Sequence, residues 1–162
     1  VSWLSHFCHQ HNIPFIIEPV SVPPAQKLSA LHLKGVHMVT PNEDELPAMC
    51  TMHNSIMQMQ AEELLERGVE KIWVHKGADG SVLFSGGRIT TLHAPTIPFV
   101  KDCTGAGDGS LSGFIMAKYL GMSDEEALKI AHTLSAEILQ VDGAIATHLN
   151  QEKLLSSVSK YY

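Results

Sequence analysis

The stretch from Asp102 to Gly109, Asp-Cys-Thr-Gly-Ala-Gly-Asp-Gly, has the residue types of an anion-binding turn. Glycine lets the backbone turn sharply and approach a ligand closely. Free N–H groups at the start of a following helix, together with the helix dipole, favour negative charge. A carboxylate at Asp108 would repel a phosphate, but it would suit a base that takes the proton of a hydroxyl attacking phosphorus. The stretch therefore indicates phosphoryl transfer.

Other interpretations of this stretch are open on the loop alone. One is a glycine-rich turn in which Asp108 only stabilises the helix dipole. The dinucleotide fingerprint G-x-G-x-x-G fails, because Ser110 stands at its last place and Pro98 lies in the preceding strand candidate. The P-loop pattern fails as well, because no Gly-Lys-Ser/Thr follows a glycine at the required spacing.

Three further segments place small or polar residues where elements meet. Thr40-Pro41-Asn42-Glu43 predicts a capping box, with Thr40 as the N-cap, Pro41 at the first helical position and Glu43 at the third. Residues 76–80 follow a predicted strand, and residues 142–144 follow a predicted helix.

The elements that must position these segments alternate along the chain. Helices are predicted at residues 2–11, 25–33, 41–50, 55–67, 105–120, 124–139 and 151–160, and strands at 14–17, 36–39, 71–75, 81–85 and 88–93. Gly86-Gly87 predicts a hairpin between the last two strands. The alternation predicts an α/β fold with a mainly parallel sheet flanked by helices and a small antiparallel hairpin at one edge.

Composition excludes several classes of protein. The chain has 162 residues, 11 Lys+Arg against 17 Asp+Glu, and a net charge of −6, which argues against nucleic acid or an anionic membrane as partner. No apolar stretch approaches the roughly 18 residues of a membrane span, and the first residues lack the pattern of a secretory signal. Three scattered cysteines fit a reducing compartment, so we expect a cytoplasmic protein.

Together the four segments resemble the PfkB, or ribokinase-like, family of carbohydrate and nucleoside kinases. Residues 102–109 resemble its D-T-x-G-A-G-D signature, residues 40–45 its T-P-N-x-x-E element, residues 76–80 its strand-end G-x-x-G, and residues 142–144 its R-x-G-A turn. The resemblance covers nearly the whole chain. It implies a ribokinase-like fold and ATP-dependent transfer of the γ-phosphate to a hydroxyl of a small sugar or nucleoside.

The resemblance also implies roles for individual residues. Asp108 matches the catalytic base, and the anion hole matches the amides of Gly105, Ala106 and Gly107. The nucleotide side matches Gly77, Gly80 and Thr104, although a tight turn explains the two glycines equally well. Residues 131–139 match the helix that lines the adenine pocket, where core packing is the alternative.

Two metal sites follow from the same resemblance. Asn42 and Glu45 match residues that hold hydrated Mg²⁺, with ordinary helix-start chemistry as the alternative. Asp102 and Thr104, with the backbone near Gly143 and Thr147, match a monovalent-cation loop that would take K⁺. Departures from the family pattern are Cys103, where threonine is common, and Lys76 and Asp142 in the flanking turns.

The family's N-terminal half, with its first strands, Gly-Gly sugar signature and lid, has no counterpart in the sequence. We therefore expect residues 1–162 to be the C-terminal, nucleotide-binding portion of one kinase domain, either part of a longer polypeptide or a truncated member. Its incomplete sheet should favour a homodimer or pairing with the missing half. The alternative function is a nucleotide-binding fragment without catalysis. Residues 18–21 and 41–46 most resemble pseudouridine kinases. Glu18 or Ser21 is a candidate acceptor contact, and a polar pair at the strand end that faces solvent is the favoured alternative.

Overall fold

The computed structural model describes residues 1–52 and 56–162. Its strands form one five-stranded sheet in chain order, comprising β1 (Ile16–Ile17), β2 (Met38–Val39), β3 (Lys71–His75), β4 (Ser81–Ser85) and β5 (Arg88–Leu92). The first three strands are parallel, and β4 runs antiparallel to β3. Strands β4 and β5 are neighbours at the sheet edge, joined through Gly86 and Gly87, both with positive φ. The predicted α/β fold with its edge hairpin is confirmed.

The described chain divides into two compact units, residues 1–91 and residues 92–162. The first unit contains the helices α1 (Ser2–Gln10), α2 (Val22–Leu28), α3 (Glu45–Met49) and α4 (Met57–Glu66). The second contains α5 (Ala106–Tyr119), α6 (Asp124–Ile138) and α7 (Gln151–Tyr161). No helix in the described ranges combines the length and apolarity needed to cross a membrane.

The core of the first unit lies around the middle strands of the sheet. Ile72, Trp73 and Val74 follow one another along β3 and all are fully buried, so both faces of this strand are covered. The remaining apolar core includes Val39 of β2 and residues of three helices, α2, α3 and α4, with Ala25, Leu28, Leu46, Met49, Ala61 and Leu64.

Helix α2 begins earlier and ends earlier than the prediction of 25–33. It starts at Val22 and includes two prolines in its first turn, where a missing N–H costs nothing because that group has no helical partner. It ends at Leu28, after which Ser29 N–H donates to the Gln26 carbonyl at 3.2 Å and Leu31 N–H to the Leu28 carbonyl at 3.1 Å. The carbonyls at this helix end are satisfied by Arg67, whose guanidinium donates to those of Leu28, Ser29 and Leu31 at 2.7, 2.9 and 2.9 Å.

The predicted capping box at Thr40 and Glu43 is wrong. Asn42 Oδ1 accepts hydrogen bonds from the N–H groups of Asp44 and Glu45, each at 2.9 Å, and Glu45 Oε2 accepts from Asn42 N–H at 2.9 Å. The Thr40 N–H instead donates to Ile17 and the Pro41 carbonyl accepts from His75. Pairing with neighbouring strands keeps residues 40–42 extended, so the helix starts later, at Glu45.

The other helices follow the sequence closely. Helix α4 ends before Gly68, as predicted, while residue 55 at the start of the predicted range lies outside the described residues. The capping box of Ser123 and Glu126 is confirmed at the start of α6. Strand β1 is shorter than the predicted 14–17 and pairs only through Ile16 and Ile17, since Pro14 has no N–H to donate.

Candidate functional site

Gly105 forms the turn that starts α5. Its backbone is left-handed, with φ of 77°, a conformation that glycine adopts without the strain of a Cβ atom. A Cβ atom added here would lie 2.5 Å from the Cβ of Ala144 and 2.9 Å from its Cα. Glycine is therefore required for two reasons, the backbone angle and the close approach of Ala144.

The amides of this turn are not all equivalent. Ala106 N–H donates to the Cys103 carbonyl over 3.3 Å. Within the described ranges, the N–H groups of Gly105, Gly107 and Asp108 have no hydrogen-bond partner, as is usual for donors at a helix start. Two of the three amides predicted to form an anion hole are thus available, and the N–H of Asp108 adds another.

Asp108 is exposed on the first turn of α5. The next residue, Gly109, faces the other way, because a Cβ atom added to it would collide with Cδ1 of Ile138 on α6. Gly113, one turn later, lies so close to α6 that its added Cβ would be 3.1 Å from the Cα of Ala131. Close packing of α5 on α6 therefore fixes which face of α5 carries the accessible carboxylate.

Asp102 connects this turn to residue 143. Its Oδ1 accepts from Thr104 N–H at 2.8 Å and its Oδ2 accepts from Gly143 N–H at 3.1 Å. Hydrogen bonds from the backbone and side chain of Thr104, and then from Gly143, hold the pKa of this carboxyl below its ordinary value of 3.8. The carboxylate is thus ionised at neutral pH and holds the two loops together.

A second connection runs beside the first. Lys101 Nζ lies 2.6 Å from Asp142 Oδ2 on the surface, and Lys101 N–H donates to the Leu139 carbonyl at 2.7 Å. Asp142 is therefore ion-paired with a lysine of the segment that leads into the glycine turn. Cys103, between these connected residues, is exposed.

In the first unit, Asn42 and Glu45 occupy the end of the loop after β2. Glu45 is buried, and Asn42 forms an isolated parallel bridge with His75. Their reciprocal hydrogen bonds give both residues a role in starting α3. Their assignment to Mg²⁺ stays a prediction. Thr40 Oγ1, just before them, is buried and has no hydrogen-bond partner within the described residues.

Gly77 and Gly80 form a tight turn between β3 and β4. Residues 77–79 make one turn of 3₁₀ helix, and Lys76 N–H donates to the Gly80 carbonyl at 2.8 Å. Both glycines have positive φ, 55° and 96°. The turn explains them structurally, and a Cβ atom added at Gly77 meets nothing within 4 Å. Their nucleotide-side role stays a prediction.

The structure brings together, within the second unit, the residues that sequence placed in one turn and the distant residues 142–144. Sequence reasoning missed two parts of this arrangement, the contact of Ala144 with Gly105 and the ion pair of Lys101 with Asp142. No local pattern predicts the packing of Ala144, because that contact joins residues 39 positions apart along the sequence.

Comparisons with known proteins agree on the kind of protein. Residues 2–151 match the pfkB family carbohydrate kinases. The chain is 30% identical to Bacillus subtilis ribokinase over 154 residues, 93% of this chain and 49% of that protein. It is 34% identical to Haloferax volcanii 1-phosphofructokinase over 111 residues, 66% of this chain and 36% of that protein. The structure of Arabidopsis thaliana ribokinase with ribose and ATP superposes with a TM-score of 0.77 at 23% identity, covering 98% of this chain and 51% of that one.

The sheet order, the helices beside it and the glycine turn before α5 define a ribokinase-like α/β protein. The chain belongs to the pfkB family of carbohydrate kinases. It spans about half the length, or less, of the relatives that it matches.

Proposed function

We propose that this chain carries the phosphoryl-transfer part of an ATP-dependent kinase for a small sugar or nucleoside. The observation that carries the proposal is the exposed carboxylate of Asp108, on the same turn as the amides of Gly105 and Gly107, which have no partner among the described residues. Family membership supports the reaction class, since the matched relatives are named as ribokinases and a phosphofructokinase.

In the proposed reaction, Asp108 accepts the proton of the acceptor hydroxyl. The resulting oxygen attacks the γ-phosphorus, and the bond from that phosphorus to the bridging oxygen of ADP breaks in line with the attack. Negative charge on the transferred group is met by the amides at Gly105 and Gly107. Losing one such donor typically costs about 3–4 kcal/mol of transition-state stabilisation.

The proposed cofactors fit the donor atoms present. Oxygen ligands are what Mg²⁺ and K⁺ require, and the side-chain oxygens of Asn42 and Glu45 are already engaged with backbone N–H groups. This engagement suits contact with Mg²⁺ through water, where the ion would neutralise phosphate charge. Asp102 and Thr104, with carbonyls near Gly143 and Thr147, are the proposed site of a monovalent cation.

For the acceptor we propose a nucleoside such as pseudouridine, because residues 18–21 and 41–46 resemble pseudouridine kinases. The first of these segments is the loop after β1. Ligands of open α/β sheets bind outside the carboxyl ends of the strands, and residues 18–21 stand at that end of β1. Val20 there has a positive φ of 68°, with Ser21 N–H donating to the Pro19 carbonyl at 2.8 Å. A positive φ at a valine is strained, and such strain is often kept at ligand-binding loops, which supports a contact of this loop with the acceptor.

We further propose that the chain pairs with a second copy or with the family's N-terminal half. Strand β1 lies at one edge of the sheet. On α1, Trp3 is 74% exposed and stacks on Phe7 with 5.5 Å between the ring centroids. Sedimentation velocity of the purified chain, alone and with a separately expressed N-terminal half, measures this directly. A monomer at every concentration that ignores the added half contradicts the pairing.

The function is tested by measuring MgATP binding and phosphate transfer in parallel. We expect the chain to bind MgATP and, when the acceptor-binding half is supplied, to transfer phosphate to pseudouridine or ribose. Asp108→Asn should leave MgATP affinity nearly unchanged and reduce kcat by about 10²–10⁴-fold. Asp124→Asn, which removes a carboxylate paired with Lys118 at 2.8 Å, is the matched control and should keep the parent rate. Near-normal turnover in Asp108→Asn would contradict the base assignment.

A second candidate function is nucleotide binding without catalysis. It is favoured by the share of its relatives' length that the chain spans, 49% for the Bacillus subtilis ribokinase. MgATP binding with no transfer to any acceptor, even with the complementary half present, would select this candidate. Absence of both binding and transfer would exclude both functions.

A further inference from the structure

The segment between α6 and α7, residues 139–149, contacts the candidate phosphoryl turn at its middle. Gly143 N–H donates to Asp102 Oδ2, and Ala144 lies against Gly105. Backbone hydrogen bonds shape the rest of the segment, from Val141 to the Ile138 carbonyl at 3.1 Å and from Leu149 to the Ala146 carbonyl at 3.0 Å. We call it the 139–149 loop. Its shape decides how residues 143 and 144 meet the turn.

The carboxylate of Glu137 joins the start of this loop to its end. Glu137, in the last turn of α6, is buried, and its Oε2 lies 3.2 Å from Nε2 of His148 at the far end of the loop. Its Oε1 accepts from the Tyr161 hydroxyl at 3.1 Å, and Lys160 Nζ lies 3.5 Å away. A single side chain thus joins the end of α6, the end of the 139–149 loop and the end of α7.

The network around Glu137 is well supplied with donors. Gln140 Nε2 donates to the Tyr161 hydroxyl at 3.2 Å and Lys160 Nζ lies 3.1 Å from the same oxygen. Burial alone would raise the pKa of Glu137, but hydrogen bonds from His148, Tyr161 and Lys160 outweigh it and hold the pKa below the ordinary 4.5. The group is therefore a buried carboxylate at neutral pH, which proteins keep only where donors surround it.

From this arrangement we infer that Glu137 is a positioning residue for phosphoryl binding. It fixes both ends of the 139–149 loop, so that Gly143 and Ala144 hold Asp102 and Gly105 in the conformation that leaves the amides of Gly105 and Gly107 free. Glu137 does not touch the turn itself and acts through the loop. The part of this inference that concerns nucleotide rests on the proposed function, whereas the part that concerns the loop does not.

The test compares Glu137→Gln with Glu126→Gln in the whole chain. Both changes neutralise a hydrogen-bonded glutamate on α6, but Glu126 bonds only to the cap at the opposite end, Ser123. Amide hydrogen exchange at Thr104 and Gly143 reports the turn directly. In Glu137→Gln we expect these two amides to exchange about tenfold faster, the effect of losing one hydrogen bond to a charged group, while Glu126→Gln leaves them unchanged.

A merely structural role predicts a different pattern. If Glu137→Gln accelerates exchange equally across all of α6, or accelerates Thr104 and Gly143 no more than Glu126→Gln does, the inference is wrong. Tyr161→Phe removes one hydroxyl donor to Glu137 and keeps the aromatic packing. It replaces Glu137→Gln in the test if that variant unfolds, and it should accelerate exchange of the same two amides by less than tenfold. A double-variant cycle of Glu137→Gln with His148→Ala should show that their effects on Gly143 exchange are not additive.

MgATP affinity separates an effect on nucleotide binding from an effect on the conformation of the 139–149 loop. If the parent chain binds MgATP, Glu137→Gln should weaken its Kd by about the same factor as it accelerates Gly143 exchange, while Glu126→Gln should not. If the parent does not bind MgATP, the proposed function fails, and exchange at Thr104 and Gly143 still decides the positioning role. Unchanged Kd together with faster exchange would overturn the link from loop to nucleotide.

Discussion

Gly105 and Gly121 show how surroundings, beyond backbone angle, decide what a residue must be. Both have left-handed backbones, with φ of 77° and 78°. A Cβ atom at Gly105 would collide with Ala144, whereas one at Gly121 meets nothing within 4 Å. Positive φ in both marks helix ends, but only the first lies in the candidate site.

The pair provides a matched prediction at the residue scale. Gly121→Ala should lose about 1 kcal/mol of unfolding free energy from backbone strain alone. Gly105→Ala should lose more, by about 1–3 kcal/mol, because the contact with Ala144 is overpacked as well, and it should abolish MgATP binding. Urea unfolding and calorimetric titration measure both quantities. Equal losses in the two variants, with binding intact, would mean that Ala144 does not constrain the turn.

In the first unit, Arg67 is a residue whose surroundings require its particular side chain. Its guanidinium donates to four carbonyls, those of Met49, Leu28, Ser29 and Leu31, and lies 3.6 Å from Glu63. A planar guanidinium can make these bonds from one position, and an ammonium group cannot.

Arg67→Lys should therefore destabilise the chain by about 2 kcal/mol, since several hydrogen bonds to a charged donor are lost. Arg88, the only other arginine, is exposed on β5, so Arg88→Lys is the matched control and should change the unfolding free energy by less than about 0.5 kcal/mol. Denaturant titrations of both variants give the comparison. Indistinguishable midpoints would show that the Arg67 bonds contribute nothing net.

At the scale of elements, the start of α3 shows why motif reading gave the wrong boundary. Thr40-x-x-Glu43 and Asn42-x-x-Glu45 both fit the capping-box pattern, and Pro41 favours the first. The structure uses the second, because Thr40 N–H and the Pro41 carbonyl are engaged by β1 and β3. Those bonds join segments far apart in the chain, and sequence periodicity carries no information about them.

Elements with strong local signals were predicted almost to the residue. Strand β3 and the hairpin strands β4 and β5 follow buried or alternating patterns between glycines, and α6 has a complete capping box with Ser123 and Glu126. The candidate turn at 102–109 was also found from sequence, because its glycines and carboxylate are contiguous. Residues 142–144 in the 139–149 loop were singled out only through the family resemblance, and the contacts of this loop with the turn were not predicted, since they depend on how α6 and α7 bring the loop to it.

The capping box allows a prediction for a whole element. Ser123→Ala removes the hydroxyl that accepts from Glu126 N–H, and it should cost about 1 kcal/mol of stability. Ser156→Ala, on the exposed face of α7, removes a hydroxyl that bonds only to the Lys153 carbonyl, and should be nearly neutral. Thermal unfolding of both variants tests the difference. A larger loss at Ser156 than at Ser123 contradicts the capping argument.

On the scale of the whole molecule, acid should destabilise the fold in two stages. Burial lowers the pKa of His132 below 6.5, so this histidine binds a proton less readily in the folded chain than in the unfolded one. Burial opposes ionisation of Glu63, but hydrogen bonds from Thr51 and Met52 and the charge of Arg67 outweigh it and lower its pKa below 4.5; Glu137 is lowered likewise.

The sign is the same for both stages, because the unfolded chain binds more protons in each range. Stability should be full above about pH 6.5, fall as the unfolded chain binds a proton at His132 more readily than the folded chain, and fall again below about pH 4.5 as the same holds for the two glutamates. Urea unfolding across this range measures the profile. His132→Gln should flatten the upper stage, and Glu63→Gln should reduce the lower one, which Glu137 still supports; a parent profile that is flat down to about pH 4 would refute the expectation.

The three cysteines of the chain differ in a way that has a practical use. Cys8 is buried, Cys50 is half-buried with its pKa raised to about 11 by burial and by Glu63, and Cys103 is exposed between Asp102 and the glycine turn. Thiolate formation and access govern alkylation, so a maleimide dye or spin label at neutral pH will attach at Cys103 in the otherwise unaltered chain. The molecule thus carries its own site for a fluorescence or paramagnetic reporter, two positions before Gly105 in the proposed anion hole.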